Sequence, residues 1–335
     1  MIGAPTRGAT SPSPASQEPT IERPIRDASQ PLVLISQIVR SGGTLLAQLL
    51  DGHEQLHCHP PECLIGGGTW PDLDLSQPAK VLFKALRERH LRRAFLEGYY
   101  KDKPARTLGL EVSEPFPLDL DPDAHRGLFL DLCRQDPPAT TRAALNHYFT
   151  ALFNAWAGNR SLDGDKRWTV VFRNKLGQGA KLDRFFEIYP DGRYLTCTRG
   201  PKAWTASCIR YRGVLRASLP HYIDEWRALS EHQLSALDRF PGQVALVRME
   251  ALVQATEPTM RRLSGWLDIR YDPILIRPTF NRDDIRANSS FSVQSHGVIS
   301  APLDNWRAVL TDEEAAEIDA RTADLQSELV RRATA

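Results

Sequence analysis

Residues 40–44 read Arg-Ser-Gly-Gly-Thr. They stand between an apolar run, Leu32–Ile38, and a stretch with Leu45, Leu46, Leu49 and Leu50 at helical spacing. A buried strand that turns through glycines into a helix gathers unpaired backbone N–H groups and the positive end of the helix dipole at one point. Gly42 and Gly43 let the backbone come close to an anion, Ser41 and Thr44 add hydroxyl donors, and Arg40 adds a guanidinium fork suited to phosphate or sulfate oxygens. The chemistry expected of this turn is the binding of a phosphate-type anion. It is not a Walker A loop, because Gly43 and not a lysine precedes Thr44. On turn composition alone it reads equally as an ordinary strand-to-helix connection.

A second cradle lies further along. Arg199 closes a strand-like run, Arg193–Thr198, and Ser207 follows eight positions later on the helix that succeeds the Arg199-Gly200-Pro201 turn. That helix is expected to carry Ser207 toward the Arg199 side chain. A third cation, Lys175, follows the run Trp168–Phe172. His57-Cys58-His59 with Cys63 has mixed ligands of the kind zinc takes. No second Cys-x-x-Cys or His-x3-His pair accompanies them, so no metal is assigned.

The elements that must position these groups alternate along the chain. Strands are expected at Leu32–Ile38, Leu108–Val112, Trp168–Phe172, Arg193–Thr198 and Val244–Val247. Helices are expected after Thr44 and over Lys80–Tyr100, Ala139–Trp156, Leu182–Tyr189, Trp204–Tyr211, Tyr222–Phe240 and Glu257–Leu267, with a last one from Thr311, where Glu314 completes a capping box. His53–Pro78 reads as an irregular segment. Repeated alternation implies an α/β fold, a central parallel sheet with helices on both faces, and ligands in such sheets bind beyond the carboxyl ends of the strands. Arg40, Lys175 and Arg199 all fall at such ends.

Residues 1–30 are dominated by Pro, Ser, Ala, Thr and Gly and are expected to form a flexible N-terminal tail before a single domain, 31–335. The rest has ample core material, with 41% apolar and 25% charged residues overall. Lys and Arg number 42 against 41 Asp and Glu, a balance that argues against an electrostatically driven nucleic-acid or membrane-surface binder. The longest apolar run is interrupted by Ser36 and Gln37 and is too short for a membrane span. With five cysteines, an odd number, and no secretory h-region, a cytoplasmic setting is expected.

Taken together, these motifs resemble the sulfotransferases that use 3′-phosphoadenosine 5′-phosphosulfate (PAPS). The family's strand followed by [KR]-S-G-T-T-x, which holds the 5′-phosphosulfate, is matched by Arg40-Ser41-Gly42-Gly43-Thr44-Leu45, with Gly43 in place of the first Thr. Its R-x7-S signature, which holds the 3′-phosphate, is matched by Arg199 and Ser207. Phe172-Arg173-Asn174-Lys175, Ile188–Leu195, Val247–Val253 and Trp306-Arg307 with Leu310-Thr311 are similar to further family segments in the same order, so the likeness spans roughly 31–315. Arginine at position 40 is in the style of tyrosylprotein and bacterial members.

The resemblance implies a P-loop nucleotide-hydrolase-like sulfotransferase fold and sulfuryl transfer from PAPS to a hydroxyl or amine of a small molecule, with 3′-phosphoadenosine 5′-phosphate (PAP) as product. Arg40 would stabilise the leaving phosphate and the sulfuryl group, and Lys175 would contact the sulfuryl oxygens. Tyrosylprotein enzymes carry a catalytic Glu shortly after the position of Cys58, which points to Glu62 as the base. His59 is the second candidate. Ser289, with Asn288 and Ser290, falls in a late region that often closes over the nucleotide. Two alternatives stay open. A kinase-like nucleotide enzyme is disfavoured by the missing Walker lysine and the lack of a strand-end Asp for magnesium. A non-catalytic nucleotide-binding protein would accommodate Gly43 and the displaced acid. The acceptor is not legible, since its pocket would be built from variable loops, here 53–78, 114–138 and 211–222.

Overall fold

The computed structural model describes residues 24–36, 38–60, 62–63, 65, 70, 72–87, 118–173, 180–212, 217–285, 298 and 303–334. In chain order, its elements begin with β1 (Leu32–Ile35), α1 (Gly43–Leu50), β2 (Leu56–Cys58) and α2 (Ala79–Leu86). They continue through α3 (Pro122–Gln135), α4 (Thr141–Ala155), β3 (Trp168–Phe172), α5 (Ala180–Ile188), β4 (Arg193–Thr198), α6 (Pro201–Arg212) and α7 (Leu219–Arg239). The remainder are β5 (Val244–Arg248), α8 (Met249–Gln254), α9 (Thr256–Trp266), β6 (Thr279–Phe280), β7 (Asp283–Asp284) and α10 (Asp312–Arg332).

Strands β1 to β5 form one sheet in the order β2-β3-β1-β4-β5, every neighbouring pair parallel. The continuous apolar runs that predict these strands have the composition of a sheet covered on both sides. Leu32, Leu34, Val171, Tyr194 and Val244 face one layer, with side chains of α2 to α5. Val33, Ile35, Val170, Phe172, Leu195 and Val247 face the other, with Leu46 and Leu49 of α1 and Met260 and Leu263 of α9. A further cluster joins Trp204 of α6, Tyr222 and Trp226 of α7 and Leu325 and Leu329 of α10 to Ile38 and Leu246.

The strand expected over Leu32–Ile38 ends at Ile35, and the helix expected from Lys80 ends at Leu86. Two further regions differ from expectation. Leu56–Cys58 lies within the segment read as irregular, yet it is the edge strand β2, paired with Trp168–Val170. Three residues are too few to show a strand period in sequence. The span 114–138, read as a loop, contains α3. Asp121 accepts a hydrogen bond from the Asp123 amide, Pro122 takes the first helical turn, and His125, Phe129 and Cys133 recur every four residues on the buried side. The capping box of Thr311 and Glu314 is formed. Leu108–Val112 and the stretch 88–100 lie outside the described residues.

Hydrogen bonds to the rest of the fold hold both ends of the described chain, through side chains at the N-terminal end. Asn154 accepts from the Arg26 amide and donates to the Arg26 carbonyl, each at 2.8 Å, and Thr150 accepts from the Ala28 amide. At the other end the Thr334 amide donates to the Leu246 carbonyl on the free edge of β5. No helix among the described residues is long and apolar enough to cross a membrane.

Candidate anion site at the carboxyl ends of the strands

The sheet order decides which loops meet. Reading across the carboxyl ends, the chain following β2 carries Glu62, β3 is followed by Arg173, β1 leads to Arg40, β4 is followed by Arg199, and β5 leads to Glu250. The segment Arg40–Thr44 follows the central strand β1, and its neighbour β4 delivers the second arginine.

The turn after β1 is built by two left-handed residues. Arg40 has φ 72° and Gly42 φ 99°. A left-handed arginine is uncommon and is held here by its surroundings. The Trp204 indole N–H donates to the Val39 carbonyl at 2.7 Å, the Ser41 amide donates to the Ile38 carbonyl at 3.1 Å, and an Arg199 Nη1–H donates to the Arg40 carbonyl at 3.3 Å. Gly42 is required twice over. Its φ is in the glycine-favouring region, and a Cβ there would stand 2.4 Å from the Met249 Sδ. Gly42 precedes α1 without a side-chain cap, so the first turn of α1 opens toward the same space.

The Arg40 side chain turns toward α6. Its Nε–H donates to the Ser207 Oγ at 3.2 Å, and its guanidinium lies over the Tyr211 ring, 5.1 Å from the centroid. Ser207 therefore meets Arg40, a contact the spacing alone does not predict. Arg199 is itself buried, and its carbonyl accepts from the Trp226 indole N–H at 3.0 Å. The Gly200 amide donates to a Glu250 carboxylate oxygen at 2.8 Å, which fixes the turn after β4. Burial lowers the ionisation of Arg199 to about 10; the nearby Arg40 adds to this and Glu250 opposes it. Burial also lowers that of Arg40. Both stay cationic at neutral pH, and two desolvated guanidiniums so close favour an anion between them.

Ser41 is fully buried and its hydroxyl has no hydrogen-bond partner among the described residues. Thr44 and Leu45 are partly exposed in the first turn of α1. A buried hydroxyl with no partner among the described residues, a glycine that admits no Cβ, an uncapped helix start, a half-buried arginine and a buried one fit an anionic, phosphate-bearing group.

On the β2 side, the His59 amide donates to the Val170 carbonyl at 2.9 Å and the Cys63 amide to the Phe172 carbonyl at 2.8 Å. These two bonds hold the intervening Glu62 at the carboxyl end of β3. Glu62 is partly exposed, while His59 is buried edge-on to Phe149, with centroids 6.3 Å apart. Arg173, also buried, donates to the Ile65 carbonyl. Lys175 and Ser289, with Asn288 and Ser290, lie outside the described residues. Among the described residues no three His, Cys, Asp or Glu side chains gather where they could hold a metal ion.

The sequence reading gives Tyr211 a place only in the expected acceptor loop 211–222, not beside Arg40, and gives Glu250 no site role. Tyr211 had a legible signal: it stands four residues after Ser207 on one helix and so shares its face. Glu250 had none, because its contact with Gly200 depends on β4 and β5 being neighbours.

Residues 31–273, more than half of the chain, match the Sulfotransferase family. The chain belongs to this family. No curated protein matches it. Among solved structures, this sulfotransferase is similar to the sulfotransferase domain from the curacin biosynthetic pathway, with 17% identity, 88% of this chain and 98% of that chain covered, and a TM-score of 0.49. It is also similar to the sulfotransferase STF9 from Mycobacterium avium, with 14% identity, 91% and 77% coverage and a TM-score of 0.41. A third similar structure is retinol dehydratase in complex with retinol and PAP, with 10% identity, 90% and 82% coverage and a TM-score of 0.38.

Proposed function

We propose that the protein transfers a sulfuryl group from PAPS to a hydroxyl or amine of a small molecule. The observation that carries this reading is the single cluster formed by the two anion-binding motifs, in which Arg40 bonds Ser207 and Arg199 bonds the Arg40 carbonyl. When bound, PAPS supplies the sulfuryl group and a phosphate leaving group. Arg40, Ser41, Gly42, Gly43, Thr44 and Leu45 would hold its 5′ end, and Arg199 and Ser207 its 3′-phosphate. Ser289 is a sequence-based candidate for the nucleotide.

Sulfuryl transfer needs the attacking and leaving oxygens in line and a cation where negative charge accumulates. The Arg40 guanidinium keeps its charge and donates toward the leaving oxygen, and it does not act as an acid. Lys175, three residues past β3, would donate to the sulfuryl oxygens. Glu62 would take the proton of the acceptor as it attacks; His59 is the second candidate for that proton. The burial of His59 against Phe149 favours the more exposed Glu62.

The test is a metal-free assay with sulfur-labelled PAPS and a panel of phenols, sterols, sugars and amines, together with calorimetry of PAP. Label transfer with PAP binding supports the reading. ATP-dependent turnover requiring magnesium supports a kinase-like enzyme, and PAP binding without turnover across the panel supports a non-catalytic nucleotide binder. No association with PAP overturns it.

A further inference from the structure

On α6, Trp204, Ser207 and Tyr211 fall at positions i, i+3 and i+7, which line one helical face. That face meets the Arg40 turn at three points. Trp204 bonds the Val39 carbonyl, Ser207 accepts from the Arg40 Nε–H, and Tyr211 lies under the Arg40 guanidinium. The first two residues are buried, whereas Tyr211 is 47% exposed, an unusual state for a large aromatic residue on the inner side of a helix. Among the described residues its ring meets the Arg40 cation.

We propose that Tyr211 is a positioning residue for donor binding. Its ring and the Ser207 hydroxyl hold the Arg40 guanidinium between them, so that the cation is ordered against α6 before an anion arrives. This rests on the reading of Arg40 as a donor-binding group. Arginine has many rotamers, and fixing it on binding costs affinity unless the free protein has already fixed it. A cation over an aromatic face at a partly exposed site is attracted strongly enough to bias those rotamers. The ring face carries the interaction, so the phenol hydroxyl is dispensable.

The experiment is calorimetry of PAP with the full chain, comparing wild type, Tyr211→Ala and Tyr211→Phe, with a thermal melt of each. The expected result is a PAP dissociation constant about three- to tenfold weaker in Tyr211→Ala at unchanged stoichiometry, with the loss in the entropy of binding. Tyr211→Phe recovers it to within about twofold. A merely structural role would instead lower the melting temperature and the bound fraction while leaving the dissociation constant of the folded molecules alone, and that outcome overturns the proposal. Wild-type affinity in Tyr211→Ala overturns it while the donor-binding reading stands, as does an equal loss in Tyr211→Phe. Failure of the wild type to bind PAP overturns the reading and the inference with it.

Discussion

Arg40 and Ser207, 167 positions apart in the chain, are joined by a 3.2 Å hydrogen bond from Nε to Oγ. The bond exists because β1 and β4 are adjacent, so the turn after one strand meets the helix after the other. It links the two motifs that would hold opposite ends of one nucleotide.

Removing either partner is expected to weaken PAP binding, to different degrees. Arg40→Ala removes a half-buried cation and should abolish detectable transfer while the fold survives, since the turn keeps its backbone bonds to Trp204 and Arg199. Ser207→Ala removes one hydroxyl that bonds a charged group and should weaken PAP about tenfold. Arg40→Lys should not restore full affinity, because an ammonium lacks the planar fork. Calorimetry of PAP, with circular dichroism as the control for folding, measures all three. Full transfer activity in Arg40→Ala would remove the basis of the proposed site.

Gly42→Ala tests the turn itself. Alanine at φ 99° is strained by about 1–2 kcal/mol. Its Cβ would also meet the Met249 sulfur at 2.4 Å, so the thioether must move. The expected outcome is a lower urea midpoint and loss of PAP binding. Met249→Ala in the same chain should recover only the part due to the clash, leaving the backbone strain. Complete recovery in the double variant would show that left-handed geometry is not what the position demands.

Much of this site was readable in the chain because strand ends and glycine turns announce themselves. The run Leu32–Ile38 followed by Arg-Ser-Gly-Gly-Thr gave both the central strand and the start of α1, and Arg199 was found by its place after β4. What sequence could not give was adjacency across the sheet. The bond of Ser207 to Arg40 and that of Glu250 to Gly200 arise because strand order is set by packing of whole layers rather than by local pattern. Short elements were lost for a related reason. The three residues of β2 are a strand only because β3 pairs with them, and α3 hid in a stretch whose outward side is polar.

The choice of base is decided by rate at constant affinity. Glu62→Gln keeps the shape of the side chain and removes its ability to take a proton, and should lower transfer by about 10²- to 10⁴-fold with PAP affinity unchanged. His59→Phe should lower it far less, since a buried ring against Phe149 is replaced by a ring. The reverse pattern, a large loss in His59→Phe and a small one in Glu62→Gln, would assign the proton to the imidazole.

Stability should fall in mild acid because of two histidines away from the proposed anion site. His57, stacked on Phe153 with centroids 4.8 Å apart, is held down to about 3 by burial and then by the Lys166 ammonium. His125, packed among Phe83 and Tyr148, is held down to about 4, mainly by burial. In the unfolded chain both ionise near 6.5, so as pH drops below about 6.5 the unfolded state takes up protons that the native state does not. The stabilisation is complete above that value and is lost progressively toward pH 4, by about 2–4 kcal/mol for the pair between pH 7 and pH 5. Lys166, lowered to about 8, is protonated in both states across this range and does not contribute. Urea midpoints of the parent, His57→Phe and His125→Phe at pH 7 and pH 5 isolate the effect, because the contribution of buried Asp51 is common to all. Each variant should lose less stability on acidification than the parent. An equal loss in all three would mean that neither imidazole is kept neutral by the fold.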